Sequence, residues 1–242
     1  MPTSEPLPWR RDAALTFCTL IALLAWDALG ADLPVMQTIG SPGGFALRDQ
    51  WLVSVVLHEG GRWLSIAALL LVAVNAAWPL PIGAVRMSRR LALWCLLATG
   101  ASLLLIPALK RLSLTSCPWD LAQFGGHARY VSHWALGIAD GGSGRCFPAG
   151  HASGAFSFLA VGFALRTVAP HAARRWMLGV LGIGVAFGIA QSLRGAHYPS
   201  HTLWTAWICW TTGALLWHGS QRWLQPGAGR AARPAILRAP FA

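Results

Sequence analysis

The chain has 242 residues, of which 55% are hydrophobic and only 11% charged, and its mean hydropathy is +0.50. That balance excludes an ordinary soluble domain and points to a single integral-membrane domain. The formal charge of +11 raises nucleic acid as a partner. The basic residues, however, sit in short segments between apolar runs, which is the signature of positive-inside topology and argues against nucleic acid.

Apolar runs of about 20 residues recur while ~10-residue alternation does not, so the spanning elements are helices and not barrel strands. The first run, Ala13 to Leu29, follows Arg10 and Arg11. Ala28-Leu29-Gly30 loosely matches a signal-peptide cleavage site, but a retained helix is preferred because it gives six crossings and the strongest charge asymmetry. A Gly/Pro stretch, Ser41-Pro42-Gly43-Gly44, precedes an amphipathic run from Phe45 to Leu57 that reads as an interfacial helix. The remaining crossings are Trp63 to Trp78, a run from beyond Arg90 to Leu109, Ala152 to Ala169, Met177 to Leu193, and Thr202 to Trp217. The fifth carries Gly179, Gly182, Gly184 and Gly188, which let helices approach closely. The predicted fold class is an all-α polytopic membrane helix bundle with six transmembrane helices plus the interfacial one. It forms one domain over residues 1–222, followed by a basic tail, 223–242, of disordered composition.

An inside N-terminus puts Arg10, Arg11, the Arg86 to Arg90 and Arg166 to Arg175 segments and the basic tail in the cytoplasm, offset only by Glu5 and Asp12. Both termini are then cytoplasmic, and Lys110, His151 and His197 share the outer side. Trp9, Trp63, Trp78, Trp176 and Trp223 fall near predicted helix ends, as an interfacial belt would have them. The five cysteines show no C-x-x-C spacing. Cys18, Cys95 and Cys209 fall in apolar runs, as small core residues do, whereas Cys117 and Cys146 share the longest polar loop, Lys110 to Phe147. If that loop faces the oxidising side, a bridge between them is expected.

The segment Cys146-Phe147-Pro148-Ala149-Gly150-His151 places a histidine where this loop ends and an apolar run begins. Pro148 and Gly150 suit a turn opening a helix, whose first unpartnered N–H groups favour phosphate. His151 beside such an anion can pass a proton to a leaving oxygen. Taken singly, Pro-x-Gly-His reads equally well as a polar cap at a membrane interface, Lys110 as a snorkelling lysine, Arg194 and Arg145 as headgroup anchors, and His58 with Glu59 as a local polar patch.

Together, three stretches carry more: Lys110 to Pro118, Pro148 to His151, and Arg194-Gly195-Ala196-His197-Tyr198-Pro199-Ser200-His201. In order and spacing they resemble the signature motifs of the type 2 phosphatidic acid phosphatase superfamily, K-x6-R-P, P-S-G-H and S-R-x5-H-x3-D, over roughly residues 90–215. The likeness is to a divergent membrane-associated bacterial subgroup with an Arg-Gly-Ala-His core and a Cys-Pro-Trp segment. Lys110, Pro118, Pro148, Gly150, His151 and His197 match, while Cys117, Ala149, Gln191 and His201 stand where the motifs have arginine, serine, arginine and aspartate.

The resemblance implies a lipid phosphatase in which His197 attacks phosphorus to give a phosphohistidine, and His151 protonates the leaving group and then activates water. Neutral His201 accepts a hydrogen bond from a ring N–H of His197, so activity is expected to fall on acidification through about pH 6.5. Lys110, Arg194 and the backbone at Gly150 hold the phosphate, with Arg111, Arg129 or Arg145 supplying the missing guanidinium. No metal and no cofactor is called for. The partners are the bilayer and a lipid phosphate such as undecaprenyl pyrophosphate, phosphatidic acid, phosphatidylglycerophosphate or a lipid A phosphate, met at the periplasmic face of a bacterial inner membrane. Two alternatives stay open: a lipid phosphotransferase using the same intermediate, and a non-catalytic lipid-binding or transport protein, which the lost arginine and aspartate favour.

Overall fold

The computed structural model describes residues 8–82 and 85–224. Of the tail expected over 223–242, only Trp223 and Leu224 lie among them; the rest is outside the described residues. The chain runs as helices α1 (Pro8–Ala28), α2 (Asp32–Ile39), α3 (Leu52–Ala77), α4 (Arg89–Leu112), α5 (Gly150–Phe156), α6 (Leu159–Val168), α7 (Pro170–Leu193), α8 (Pro199–Gly219) and α9 (Gln221–Leu224). Two short antiparallel pairs, Gly40–Ser41 with Gly44–Phe45 and Pro81–Ile82 with Val85–Arg86, turn the chain between helices. The fold is the all-α membrane bundle that the apolar runs specify.

Among the described residues, three helices, α3, α4 and α7, are long and apolar enough to cross a membrane, and a fourth span arises if α1 and α2, bent by 67°, are counted as one. Their outward residues suit hydrocarbon: Leu71 is 63% exposed, Leu104 76% and Leu178 60%, which would be costly against water. Ser88 opens α4 by accepting a hydrogen bond from the Leu91 N–H at 3.3 Å. Trp63 and Trp78 stand exposed at either end of the apolar stretch of α3, as belt residues do. Trp176 does not join the belt: its indole N–H donates to the Phe158 carbonyl at 2.8 Å inside the bundle.

Several boundaries move, each for a packing reason. Of the run expected as an interfacial helix from Phe45 to Leu57, Phe45 lies in a short strand and the part from Leu52 is the start of α3, wound as a wider π-helix over Leu52–Gly60 and continuing through Gly60 and Gly61. The double glycine is no break. A Cβ on Gly61 would come within 2.6 Å of the Phe187 ring, so glycine here admits a neighbouring helix. The apolar run from Ala152 is split at Ser157 and Phe158 into α5 and α6, where the Phe158 carbonyl is taken by the Trp176 indole. Helix α8 begins at Pro199 rather than Thr202, proline supplying the first helical position.

Of the four glycines expected to permit close packing on α7, two do so. A Cβ at Gly184 would fall 2.2 Å from the Phe156 ring and one at Gly188 2.2 Å from Thr202, whereas Gly179 and Gly182 have nothing within 4 Å. The core beyond them is aromatic and aliphatic, with Trp94 of α4 edge-on to Trp217 of α8 at 5.0 Å. At that end of the bundle Asp12 of α1, only 3% exposed, accepts from Arg166 of α6 at 2.7 and 2.9 Å and pairs with His218 of α8 at 3.0 Å. One buried carboxylate thereby locks three helices at a common level. The end of α4, the start of α5, the α7–α8 loop and the start of α8 gather at the opposite end.

Candidate active site

Lys110 sits in the last turn of α4 and points toward the start of α5: its Nζ lies 3.5 Å from where a Cβ would stand on Gly150. The ammonium thus stands beside the first turn of the helix that carries His151.

His197 lies in the tight connection between α7 and α8. The turn needs Gly195, whose φ is +75° and whose Cβ would strike the Phe45 ring at 2.2 Å. The Ala196 N–H donates to the Gln191 carbonyl at 2.8 Å, and the Gly195 carbonyl accepts from the Trp119 N–H at 2.9 Å, so the first-motif loop grips the third. Cys117 and Cys146 are joined in a disulfide closing 29 residues, the bridge expected between them. The Nδ1 of His197 lies 3.5 Å from the Cys146 sulfur. A bridged sulfur has no proton to give, so with Nδ1–H turned toward it the Nε2 lone pair is left for attack. His197 is 5% exposed; burial first, and the Lys110 charge second, push its pKa down to about 3. It is therefore a neutral imidazole at any physiological pH, the form a nucleophile needs.

His151 occupies the first turn of α5 and donates its Nε2–H to the Leu57 carbonyl of α3 at 3.1 Å. Its ring packs between His58, centroids 4.5 Å apart, and Phe187, at 4.6 Å. His58 is a neighbour of His151 that a reading by motifs misses. Gln191, standing where the motif has arginine, donates from Nε2 to His58 Nδ1 at 3.2 Å, which fixes the His58 proton on Nε2, 3.7 Å from Glu59. The signal for His58 was its polarity within an apolar run, but its register toward His151 depends on the π-wound start of α3, which no local pattern announces.

The other residues divide. Arg194 stands on the His58 and His151 side and donates from Nε to the Arg48 carbonyl at 2.9 Å. Arg111, Arg129 and Arg145 are exposed, and among the described residues none forms an ion pair or side-chain hydrogen bond with the histidines. Arg145 instead shapes the backbone, with φ 55° and its N–H on the Ser113 carbonyl at 2.8 Å. His201 departs from its expected role. It is wholly buried, donates Nδ1–H to the Cys146 carbonyl at 3.1 Å, and meets His197 only edge-on, ring centroids 5.9 Å apart. Its link to His197 therefore runs through Cys146 rather than through a hydrogen bond from His197.

Cys117, Cys146 and His197 lie close enough to suggest metal ligands, but the disulfide removes both thiolates. The arrangement amounts to one ammonium, one guanidinium and three imidazoles at one end of a membrane helix bundle, which is a class of site suited to anionic, lipid-borne groups. Residues 91–225 match the model of the PAP2 superfamily, and the chain belongs to that superfamily. Its fold is similar to that of a transmembrane PAP2-type phosphatidylglycerolphosphate phosphatase from Bacillus subtilis, with TM-score 0.54, 18% identity, and 89% of this chain and 96% of that one covered. No curated protein sequence matches it.

Proposed function

We propose that this protein hydrolyses phosphate or pyrophosphate esters of lipids, through a phosphohistidine on His197, at the outer face of a bacterial inner membrane. The observation that carries the reading is the convergence of Lys110, His151 and His197 from three separate elements on one end of the bundle. A phosphoryl group in flight spreads negative charge over three oxygens, so cations and positioned imidazoles are what its transfer requires. The Nε2 lone pair of His197 forms the P–N bond as the bond from phosphorus to the leaving oxygen breaks, and His151 gives that oxygen a proton. Water then attacks the phosphohistidine, His151 takes its proton, inorganic phosphate departs and His197 is regenerated. Superfamily membership supports a phosphatase, and exposed apolar helices support a substrate held in the bilayer.

The positive-inside balance supports cytoplasmic termini and a periplasmic site, with six crossings formed by α1, α3, α4, α5 with α6, α7 and α8. The test is free phosphate released by purified protein from phosphatidylglycerophosphate, phosphatidic acid, undecaprenyl pyrophosphate and lipid A phosphates. Release from at least one lipid is expected, with labelled phosphate trapped on the protein in His151→Ala but not in His197→Ala. Near-normal turnover in His197→Ala overturns the reading, and movement of phosphate to an acceptor lipid without release makes the protein a phosphotransferase.

A further inference from the structure

We propose that Asp27, Asp32 and His133 form a binding site for one divalent transition-metal ion, at the outer end of the bundle and apart from the phosphate site. Asp27 lies in the last turn of α1, Asp32 opens α2 after the 67° bend, and His133 comes from the long loop before α5. One ligand atom from each lies within 4.8 Å of the others, a spacing that donors at about 2.0–2.2 Å from a common ion can have. The three side chains line a small cavity together with Trp26 and Tyr130.

Counting lone pairs shows where capacity remains. Asp27 Oδ2 accepts the indole N–H groups of Trp134 and Trp204, both at 2.8 Å, while Asp27 Oδ1 is buried with no partner among the described residues. Asp32 Oδ1 accepts from the Trp26 indole and the Ser200 N–H, both at 3.0 Å, and Oδ2 accepts only the Ser200 hydroxyl. His133 Nε2 is likewise buried without a hydrogen-bond partner, 3.4 Å from Asp27 Oδ2. The side chains of His133 and Asp27 are 5% and 6% exposed. Buried polar atoms are almost always satisfied, so two such orphans facing one cavity point to something between them.

Charge supplies the second argument. Among the described residues no lysine or arginine pairs with either carboxylate; His133 alone approaches Asp27. Two buried carboxylates that face one cavity call for positive charge, and buried charges are paired or coordinate metals. The imidazole nitrogen favours Zn2+ over Ca2+ and Mg2+, which prefer all-oxygen ligands. The indole and serine donors already orient the carboxylates, as outer partners of metal ligands do. The His133 ring stacks on Phe147 at 4.2 Å, and Asp32 holds the first turn of α8, so an ion here would brace the segments carrying His151 and His201.

Full-length protein in detergent is stripped with EDTA, titrated with ZnCl2, separated from free metal and assayed for bound zinc by mass spectrometry. About one zinc per chain is expected, with affinity weakened at least about 100-fold in Asp27→Asn and in His133→Gln, and unchanged in His58→Ala. No saturable binding by wild type overturns the proposal, as does binding that survives His133→Gln. Loss of zinc in His58→Ala also overturns it, since the ion would then belong to the catalytic histidines. Should Asp27→Asn fail to give monodisperse protein, His133→Gln decides alone.

Discussion

The ring of His58 rests against that of His151 with centroids 4.5 Å apart, while Gln191, at the position of a motif arginine, donates to the far side of the same His58 at 3.2 Å. Where the motif has a guanidinium, a Gln–His pair thus bears on His151, the residue proposed to transfer the proton. His58→Ala is expected to lower kcat by about 10- to 100-fold, the cost of misplacing a catalytic group. Because His58 acts on His151, the pH profile should change as well as its height, a shift that simple loss of packing does not produce. Gln191→Arg combined with His58→Ala should recover part of the loss by returning a cation to the site. Phosphate release against pH for wild type and these two variants checks this.

The disulfide lies directly behind His197 and closes a loop across which the chain-entropy model gives about 3–4 kcal/mol. Reduction, or Cys117→Ser with Cys146→Ser, should lower the melting temperature in detergent. Turnover should fall even at temperatures where the protein stays folded, because the sulfur wall and the Cys146 carbonyl held by His201 both loosen. Thermal denaturation and initial rates, with and without dithiothreitol, separate the two effects.

What was legible in the sequence was what local pattern encodes. Twenty-residue apolar runs specified a helical membrane bundle, motif spacings marked Lys110, His151 and His197, and a shared polar loop marked the Cys117–Cys146 pair. What was not legible depends on contacts between elements distant in the chain. Gly60 and Gly61 look like a break, yet Gly61 serves the approach of α7. Ser157 and Phe158 look like mid-helix, yet Trp176 takes the Phe158 carbonyl. His201 occupies the position of an orienting residue, but its hydrogen bond goes to a carbonyl that only the folded loop brings near.

The pH behaviour follows from burial of His197. Its pKa in the folded protein is about 3, against about 6.5 for an exposed histidine. Between these values the unfolded chain binds a proton that the folded one does not, so stability falls on acidification through that window, by about 1.4 kcal/mol per pH unit from this group. Above pH 6.5 its contribution is fully present. His197, the proposed nucleophile, stays unprotonated through most of that window, so an acid limb near pH 6.5 does not come from it. Histidine NMR titration should show, among the imidazoles still neutral at pH 5, one that is missing from His197→Gln, and the stability of that variant should depend less on pH.

A pair of glycine substitutions separates packing from helix propensity. Both Gly61 and Gly182 lie in helices, where alanine is ordinarily favoured by about 1 kcal/mol. At Gly182 nothing lies within 4 Å of a new Cβ, so Gly182→Ala should leave activity unchanged and raise the melting temperature slightly. At Gly61 the same methyl would stand 2.6 Å from the Phe187 ring and 3.2 Å from His151 Nε2. The Phe187 ring cannot yield without pressing on His151, against which it packs at 4.6 Å. The new methyl also crowds the His151 ring nitrogen that donates to the Leu57 carbonyl. Gly61→Ala should therefore cost about 1–3 kcal/mol of stability through overpacking and at least tenfold in kcat. If Gly61→Ala turns over like wild type, His151 tolerates displacement, and its proposed role in proton transfer has to be reassigned.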